Sequence, residues 1–377
     1  MAEGKKLVWL ALPFCAGIVL GELTVKILQP SDNILYAAAG VLPAVIFWLS
    51  AIACRKSVSS SENISSCHFI SLTVCILCGI LCSATSILTE SYTQEDSFAD
   101  IWMKKSRIKV EDLIDNIPYR NNDTNALAKA LLTGNRSSLT HETKENFRQS
   151  GASHLLALSG MHLGILYLIF SHLLDILGNH KWAKILKYII TISFTWFYSG
   201  MTGWSPSIVR ALLFIIIRET AGLTGRKCSL TDSLSAALVI QCTINPGVVN
   251  SVSFQMSYLA VAAIAIIFPH LKNWFPSEGT DPATKVARKI WECAALSLSC
   301  QITTGPLAWW KFGSMPIYFL ITNLLAVPVT TIAIPAVILS CICCSADICI
   351  KASVSVSEFM LESLSFILST ISSMNNQ

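Results

Sequence analysis

Long apolar runs, separated by short charged stretches, dominate the chain and predict helices rather than strands. A membrane-crossing helix needs about 20 mostly apolar residues. Runs near that length fall at Leu7–Leu23, Ile34–Ala53, Phe69–Leu88, Leu155–Leu177, Ile185–Ser199, Ile208–Leu223, Leu234–Val249, Ser253–Pro269 and Ile290–Trp310. Ile317–Cys344 is equally apolar but broken by Pro328 and Pro335, and reads as one tilted helix or two short ones. Val354–Ile371 is serine-rich and carries Glu358 and Glu362; spanning and surface placements both stay open. The fold class is therefore an all-α polytopic membrane protein with about nine to eleven transmembrane helices.

One polar segment, residues 89–150, interrupts the apolar runs. Asp123 or Thr124 predicts the cap of a helix running through Leu132, with Gly134 as its stop. Thr140 predicts a second cap, with Glu142 in the first turn and Gly151 ending the helix. Phe147, Leu155 and Leu156 would dock this helix on the bilayer. The segment thus reads as two amphipathic helices at the outer interface before the central bundle, against the plainer alternative of a connector. Basic residues supply the orientation. Lys5 and Lys6, Arg55 and Lys56, Lys181, Lys184 and Lys187, Arg218, Arg226 and Lys227, and Lys272, Lys285, Arg288 and Lys289 all fall on one side. That side is the cytoplasm, with the N-terminus in it and residues 89–150 outside.

Composition sharpens this. Hydrophobic residues make up 53% and charged residues 13%, where a soluble chain carries roughly 25% charged. A soluble enzyme, a secreted disulfide scaffold and a disordered chain are excluded. The net charge of +4 is too small to imply a polyanionic partner by itself. Residues 89–150 hold nine Lys plus Arg against ten Asp plus Glu, which is not a stand-alone nucleic-acid-binding module. Of the 14 cysteines, Cys75, Cys78 and Cys82 share one apolar run and Cys341, Cys343, Cys344 and Cys349 another. They read as small apolar packing residues, not as a metal or disulfide framework.

Polar residues inside apolar runs are costly and carry the functional signal. Gly151 to Gly164 holds His154, Ser159 and His162. On one continuous helix, His154, Leu158 and His162 share a side, and Ser159 neighbours His162. Gly160 and Gly164 form a small-xxx-small pair permitting close helix approach. In Gly203 to Ala211, Pro206 suits a first helical turn, Ser205 suits the cap, and Ser207 and Arg210 follow. Gln255 and Gln301 form a weaker third group. Trp196, Phe197, Trp204, Trp309 and Trp310 lie near predicted outer ends, where an interfacial belt is the ordinary reading. The bland alternatives are a satisfied structural histidine, a snorkelling Arg210, and interhelical hydrogen bonds from Ser and Gln.

These residues resemble the central membrane domain of the ComEC family of competence proteins. The likeness starts at Ala130-Leu131-Leu132-Thr133-Gly134-Asn135-Arg136 and passes through Phe147-Arg148 and the His154–His162 stretch. It continues through Ser205-Pro206-Ser207 with Arg210-Ala211, Asn245-Pro246, Phe254-Gln255-Met256-Ser257, Gln301 with Pro306, Phe312-Gly313 and Asn323-Leu324-Leu325-Ala326-Val327-Pro328, in collinear order over about residues 125–345. It implies an inner-membrane channel passing single-stranded DNA to the cytoplasm. Arg136, Arg148, His154, Ser159, His162, Ser207, Arg210, Gln255 and Gln301 are the expected path residues. Fuller members carry an outer OB-fold and a metallo-β-lactamase-like nuclease domain. Only Ser91–Asp123 is available here for the first, and no H-x-H-x-D-H string marks the second. Receptor, nuclease and motor are therefore expected in trans, with a homo-oligomer left open.

The expected division is an N-terminal three-span region at 1–89, a short outer segment at 90–124, the channel domain at 125–345 and a tail or last span at 346–377. No cofactor, metal or enzymatic activity is expected, and there is no G-x-x-x-x-G-K-[ST]. Two rivals remain. One is an intramembrane hydrolase built on Ser159 and His162, disfavoured because i, i+3 side chains on a continuous helix rarely reach catalytic geometry. The other is a protein that keeps the fold but moves another substrate or serves a structural role.

Overall fold

The computed structural model describes residues 4–28, 74–80, 82–83, 98–178, 180–226, 228–274, 282–313 and 318–375, without side chains for 4–10, 24–28, 282 and 375. The expected span Ile34–Ala53 lies outside these residues. The helices are α1 (Gly4–Leu28), α2 (Phe98–Asp115), α3 (Asn122–Thr133), α4 (His141–Gln149), α5 (Ser153–Leu156), α6 (Gly160–Leu174), α7 (Lys181–Met201), α8 (Pro206–Thr224), α9 (Leu230–Ile244), α10 (Val252–Ile266), α11 (Phe268–Lys272), α12 (Pro282–Phe312), α13 (Phe319–Ser345) and α14 (Ile350–Asn375). Residues 74–80 and 82–83 are also helical, and no strand occurs among the described residues. The all-helical expectation stands. By length and composition, three described segments can cross a membrane: Gly160–Leu177, Phe319–Ser345 and Ile350–Met374. Ala11–Leu23, Leu230–Ile244 and Val252–Ile266 are shorter apolar helices.

The chain divides into two compact units, Met1–Asp96 with Thr224–Tyr258, and Ser97–Leu223 with Leu259–Gln377. In the first unit α1 and residues 74–80 meet with their backbones in contact. A Cβ on Gly17 would overlap the Ile76 carbonyl, and one on Gly79 would overlap that of Phe14. Glycine is needed at both positions because only hydrogen fits between the two backbones. Phe14, Ile18, Cys242, Val248, Phe254 and Tyr258 form the core, with Cys15, Cys75, Cys78 and Cys82 packed on it. Tyr258 Oη donates to Gln241 Oε1 at 3.0 Å, and Gln255 Nε2 donates to the Val249 carbonyl at 2.9 Å. The expected span Leu234–Val249 ends early. α9 stops at Ile244, and Pro246–Asn250 forms a 3-10 turn, since Pro246 biases the residue before it away from helix. The run Ser253–Pro269 likewise divides into α10 and α11.

The second unit is built on the α13–α14 hairpin. α13 is one continuous helix through Pro328 and Pro335, which settles the choice between one helix and two. α14 extends well past the apolar run that predicts it. It buries Val354, Leu361, Leu364 and Leu368 in the same core as Ala326, Ala333, Ile334 and Val337 of α13. Serines knit the two together: Ser340 Oγ donates to Ser357 Oγ at 2.9 Å, and Ser357 Oγ to the Val354 carbonyl at 3.0 Å.

The polar segment corrects the interfacial reading. α3 is capped by Asn121, not by Asp123 or Thr124: the Asn121 side chain accepts from the Asp123 N–H at 3.0 Å. Gly134 stops it at φ 75°, as expected. Thr140 caps α4, accepting from the Thr143 N–H at 3.2 Å, and Gly151 follows with φ 81°. Ala126, Leu127, Ala128, Ala130, Leu131 and Leu132 of α3 are all buried, and Phe147 is only 1% exposed. Leu155 and Leu156 join the same core. These apolar faces meet protein, not lipid, because α14 runs alongside and covers them. Tyr119 Oη donates to Ser357 Oγ at 3.2 Å and the Arg120 N–H to Glu358 Oε1 at 2.8 Å. Further along, Ser372 Oγ donates to Gln149 Oε1 at 2.6 Å. Between them lies a cleft of about 320 Å³ lined by Asn121, Asp123, Thr143, Glu362, Ser365 and Ser369, among others.

Glu111 ties α2 to the end of α3. It accepts from Arg107 Nε at 2.9 Å, Asn135 Nδ2 at 2.9 Å and Thr133 Oγ1 at 3.0 Å. Burial alone would raise this carboxyl, but the three donors outweigh it and hold the group below its ordinary value. A depressed carboxylate contributes stability above its unfolded value, about 4.3, and loses it as pH falls through the lower folded value. The α2–α3 junction is therefore expected to loosen in acid. Glu111→Gln should cost about 1 kcal/mol at neutral pH and flatten the acid limb. Amide hydrogen exchange at Thr133–Arg136 across pH checks both.

Candidate functional site

The expected span Leu155–Leu177 is not one helix. α5 ends at Leu156, Ala157 is extended, and α6 restarts at Gly160 with Ser159 as its N-cap. His154, Leu158 and His162 therefore do not share one helical side. Serine is a strong cap because its short hydroxyl satisfies a free first-turn N–H. Here Ser159 Oγ accepts from the Met161 N–H at 3.3 Å, and the Ser159 N–H donates to His162 Nδ1 at 3.3 Å. This is a capping box with histidine in place of Glu or Gln.

The same box brings Ser159 Oγ to 3.0 Å from His162 Nδ1. The geometric objection to a serine–histidine pair is thereby corrected, because Ser159 sits outside the helix. The contact is explained by capping. Among the described residues no group orients the far side of the ring, whose Nε2 is buried without a partner there. His154 donates from Nδ1 to the Gly151 carbonyl at 3.2 Å and lies close enough to His162 for the two rings to interact electrostatically.

α6 lies against α8 at its first turn. A Cβ on Gly160 would be 3.0 Å from Arg210 Nη2, 3.1 Å from Ala211 Cβ and 3.6 Å from the Ser207 carbonyl. Gly164 has open space around it, so only the first half of the small-xxx-small pair marks a close approach. Arg210 is 9% exposed and stands 5.6 Å from the Phe214 ring centroid. It is therefore buried and does not snorkel. Cys300, the neighbour of Gln301 on α12, is within electrostatic reach of it. Pro206 opens α8 as expected, but Ser205 does not cap it with its side chain. The Ser205 carbonyl accepts from the Ile208 and Val209 N–H groups, both at 2.9 Å, while its hydroxyl is buried without a partner among the described residues.

The other expected residues scatter. Arg136 is exposed in the loop after Gly134, which packs on Leu158. Arg148 is committed to Glu145 at 2.5 Å and holds that carboxyl down at about 2. Gln255 belongs to the other unit, and Gln301 is partly buried on α12. Of the expected aromatics, Trp196 lies edge-on to Trp204 at 5.4 Å and Phe197 meets Trp102 at 5.2 Å, while Trp309 and Trp310 are exposed. Sequence reasoning missed Tyr167, whose hydroxyl donates to Glu219 further along the α6–α8 seam. The available signal was a tyrosine and an acid within two apolar runs.

The class defined so far is a helical protein with membrane-length helices and a buried arginine–histidine region at the head of α6 and α8. The Competence protein family model matches residues 131–377, and the chain belongs to that family. It is 28% identical to the uncharacterized protein YcaI of Escherichia coli (strain K12) over 219 residues, 57% of this chain and 28% of that one. To ComE operon protein 3 of Bacillus subtilis (strain 168) it is 24% identical over 216 residues, 56% of this chain and 25% of that one. An uncharacterized protein of Aquifex aeolicus (strain VF5) is 25% identical over 181 residues, 47% of this chain and 40% of that one. The chain thus matches well under half the length of each relative. No solved structure matches it.

The Gly160 contact sets a test. Gly160→Leu is expected to overpack the α6–α8 seam and cost about 2 kcal/mol or more. Gly164→Ala, in open space, should be neutral or stabilising by up to about 1 kcal/mol. Thermal unfolding of the purified protein in nanodiscs separates the two.

Proposed function

We propose that this chain forms the helical conduit by which single-stranded DNA crosses the bacterial inner membrane during natural transformation. The observation that carries the reading is Arg210, buried at the Gly160 contact inside the family-matching region of an otherwise apolar bundle. A buried cation is expensive in such surroundings and is kept where it does work. Single-stranded DNA requires positive potential along its path, supplied sequence-independently. Arg210 offers this within the second unit, with Arg136 at its surface. The family's description, Competence protein, supports the same assignment, as does the likeness to ComE operon protein 3 of Bacillus subtilis.

In this reading the chain passes the strand and performs no chemistry on it. Ser159 and His162 serve as a cap, and strand degradation and energy input come from other uptake proteins. About nine to eleven helices cross the bilayer, the N-terminus is cytoplasmic, and residues 89–150 lie outside.

Transformation frequency and uptake of labelled single strands test this in an intact strain, a deletion, and deletions complemented by Arg210→Ala or His162→Ala at equal membrane level. The deletion and the Arg210→Ala strain are expected to fall at least about tenfold, the effect of losing roughly 1.4 kcal/mol at one step. Normal transformation by the deletion would sink the conduit reading.

A further inference from the structure

We infer that the cleft between α3 and α14 is a binding site for a primary ammonium group on a short aliphatic stem, carried by a free alkyl amine or by a lysine side chain. The inference does not depend on the conduit reading. It begins with a gap in how α14 is fastened. The face of α14 turned to the polar segment is hydrogen-bonded at both ends, at Ser357 and Glu358 and again at Ser372. Between those ends the same face carries Glu362 and Ser365, whose side chains have no partner among the described residues. They open onto the cleft of about 320 Å³. Across it, α3 contributes the Asp123 carboxylate and the Thr124 hydroxyl, also without partners among the described residues.

These groups differ from ordinary surface. Glu362 lies midway along a membrane-length helix, Ile350–Met374, where an ionisable side chain is costly and marks a functional position. Thr124 is only 5% exposed, and what surface it keeps is on the cleft. A buried hydroxyl normally has a partner, so one without is suited to a ligand. Leu127 and Leu361, both buried, give the cleft its apolar part.

Together they select the ligand. Two carboxylates, one from each wall, favour a cation, and no Lys or Arg is among the lining residues to neutralise them. A bare metal ion needs several oxygens at about 2.0–2.6 Å. The space here is instead at the lower end of small-molecule pockets, about 300–1,000 Å³. An ammonium group with three donors matches the carboxylates and the Thr124 hydroxyl, and a methylene stem matches Leu127 and Leu361. Seated there, it touches both walls and strengthens the hold of α14 on the polar segment, so binding reads out as stability.

The test uses the full chain in phosphatidylcholine nanodiscs, which carry no net charge to attract amines. Thermal protection is titrated at constant ionic strength with putrescine, n-butylamine, 1,4-butanediol and magnesium chloride. Both amines are expected to protect and to slow amide hydrogen exchange across residues 361–369, and the diol and magnesium are not. Glu362→Gln and Asp123→Asn should each weaken protection about tenfold, and Thr124→Val about threefold. Thr124→Val keeps the side-chain shape and removes only an unpartnered hydroxyl, so without ligand it should melt as the parent does. That variant keeps the result readable if a charge change disturbs the fold. Nα-acetyl-lysine amide separates the two sources. Protection within about threefold of n-butylamine keeps the site and assigns its ammonium to a lysine side chain, and weaker protection assigns it to a free amine. No protection by either amine, equal protection by magnesium chloride, or unchanged amine affinity in folded Glu362→Gln and Thr124→Val overturns the site. The transformation assay decides the conduit separately.

Discussion

Burying Arg210 is the constraint on which the second unit turns. A guanidinium taken out of water must be surrounded by groups that favour it, and its bulk must be accommodated within a helix contact. The Phe214 ring, 5.6 Å away, offers its face to the cation, and Gly160 supplies the room, its missing side chain opening space beside α8. That in turn fixes where α6 begins. The helix starts at Gly160 because Ser159 caps it, and the cap pulls His162 back over the first turn. The seam continues to Tyr167 and Glu219, so a polar contact at each end sets the register of two helices that run in the same direction. The α13–α14 hairpin then closes the unit from the other side.

Much of this was legible in the sequence, for local reasons. Gly134 and Thr140 announce a stop and a start because each acts within four residues of itself. Pro206 opens α8 for the same reason, and the apolar runs give the helices directly. The break at Ala157–Ser159 was not legible. The usual capping-box signature has Glu or Gln three residues after the cap, and here that place is taken by histidine within an apolar run. A continuous helix was the natural reading, and it put His154 and His162 on a common side where the structure has two helices and a turn.

What stayed hidden was non-local. The apolar faces of α3 and α4 are indistinguishable, one helix at a time, from faces made for a lipid surface. Only the position of α14, more than 200 residues later, shows that they belong to a protein core. Tyr167 and Glu219 lie 52 residues apart and announce nothing alone. Arg148 looked like a free cation at the outer mouth, but Glu145 three residues earlier takes it up.

The way α14 is fastened has a mechanical consequence. Its attachments to the polar segment, at Ser357–Glu358 and at Ser372, are separated by roughly 20 Å of helix at 1.5 Å per residue. A pull along that axis loads every contact between them at once, in shear, and does not peel them apart one by one. A force applied to residues 119–149 is therefore delivered to the hairpin as a whole. The polar segment acts as a rigid handle on the bundle, able to transmit displacement without first coming loose.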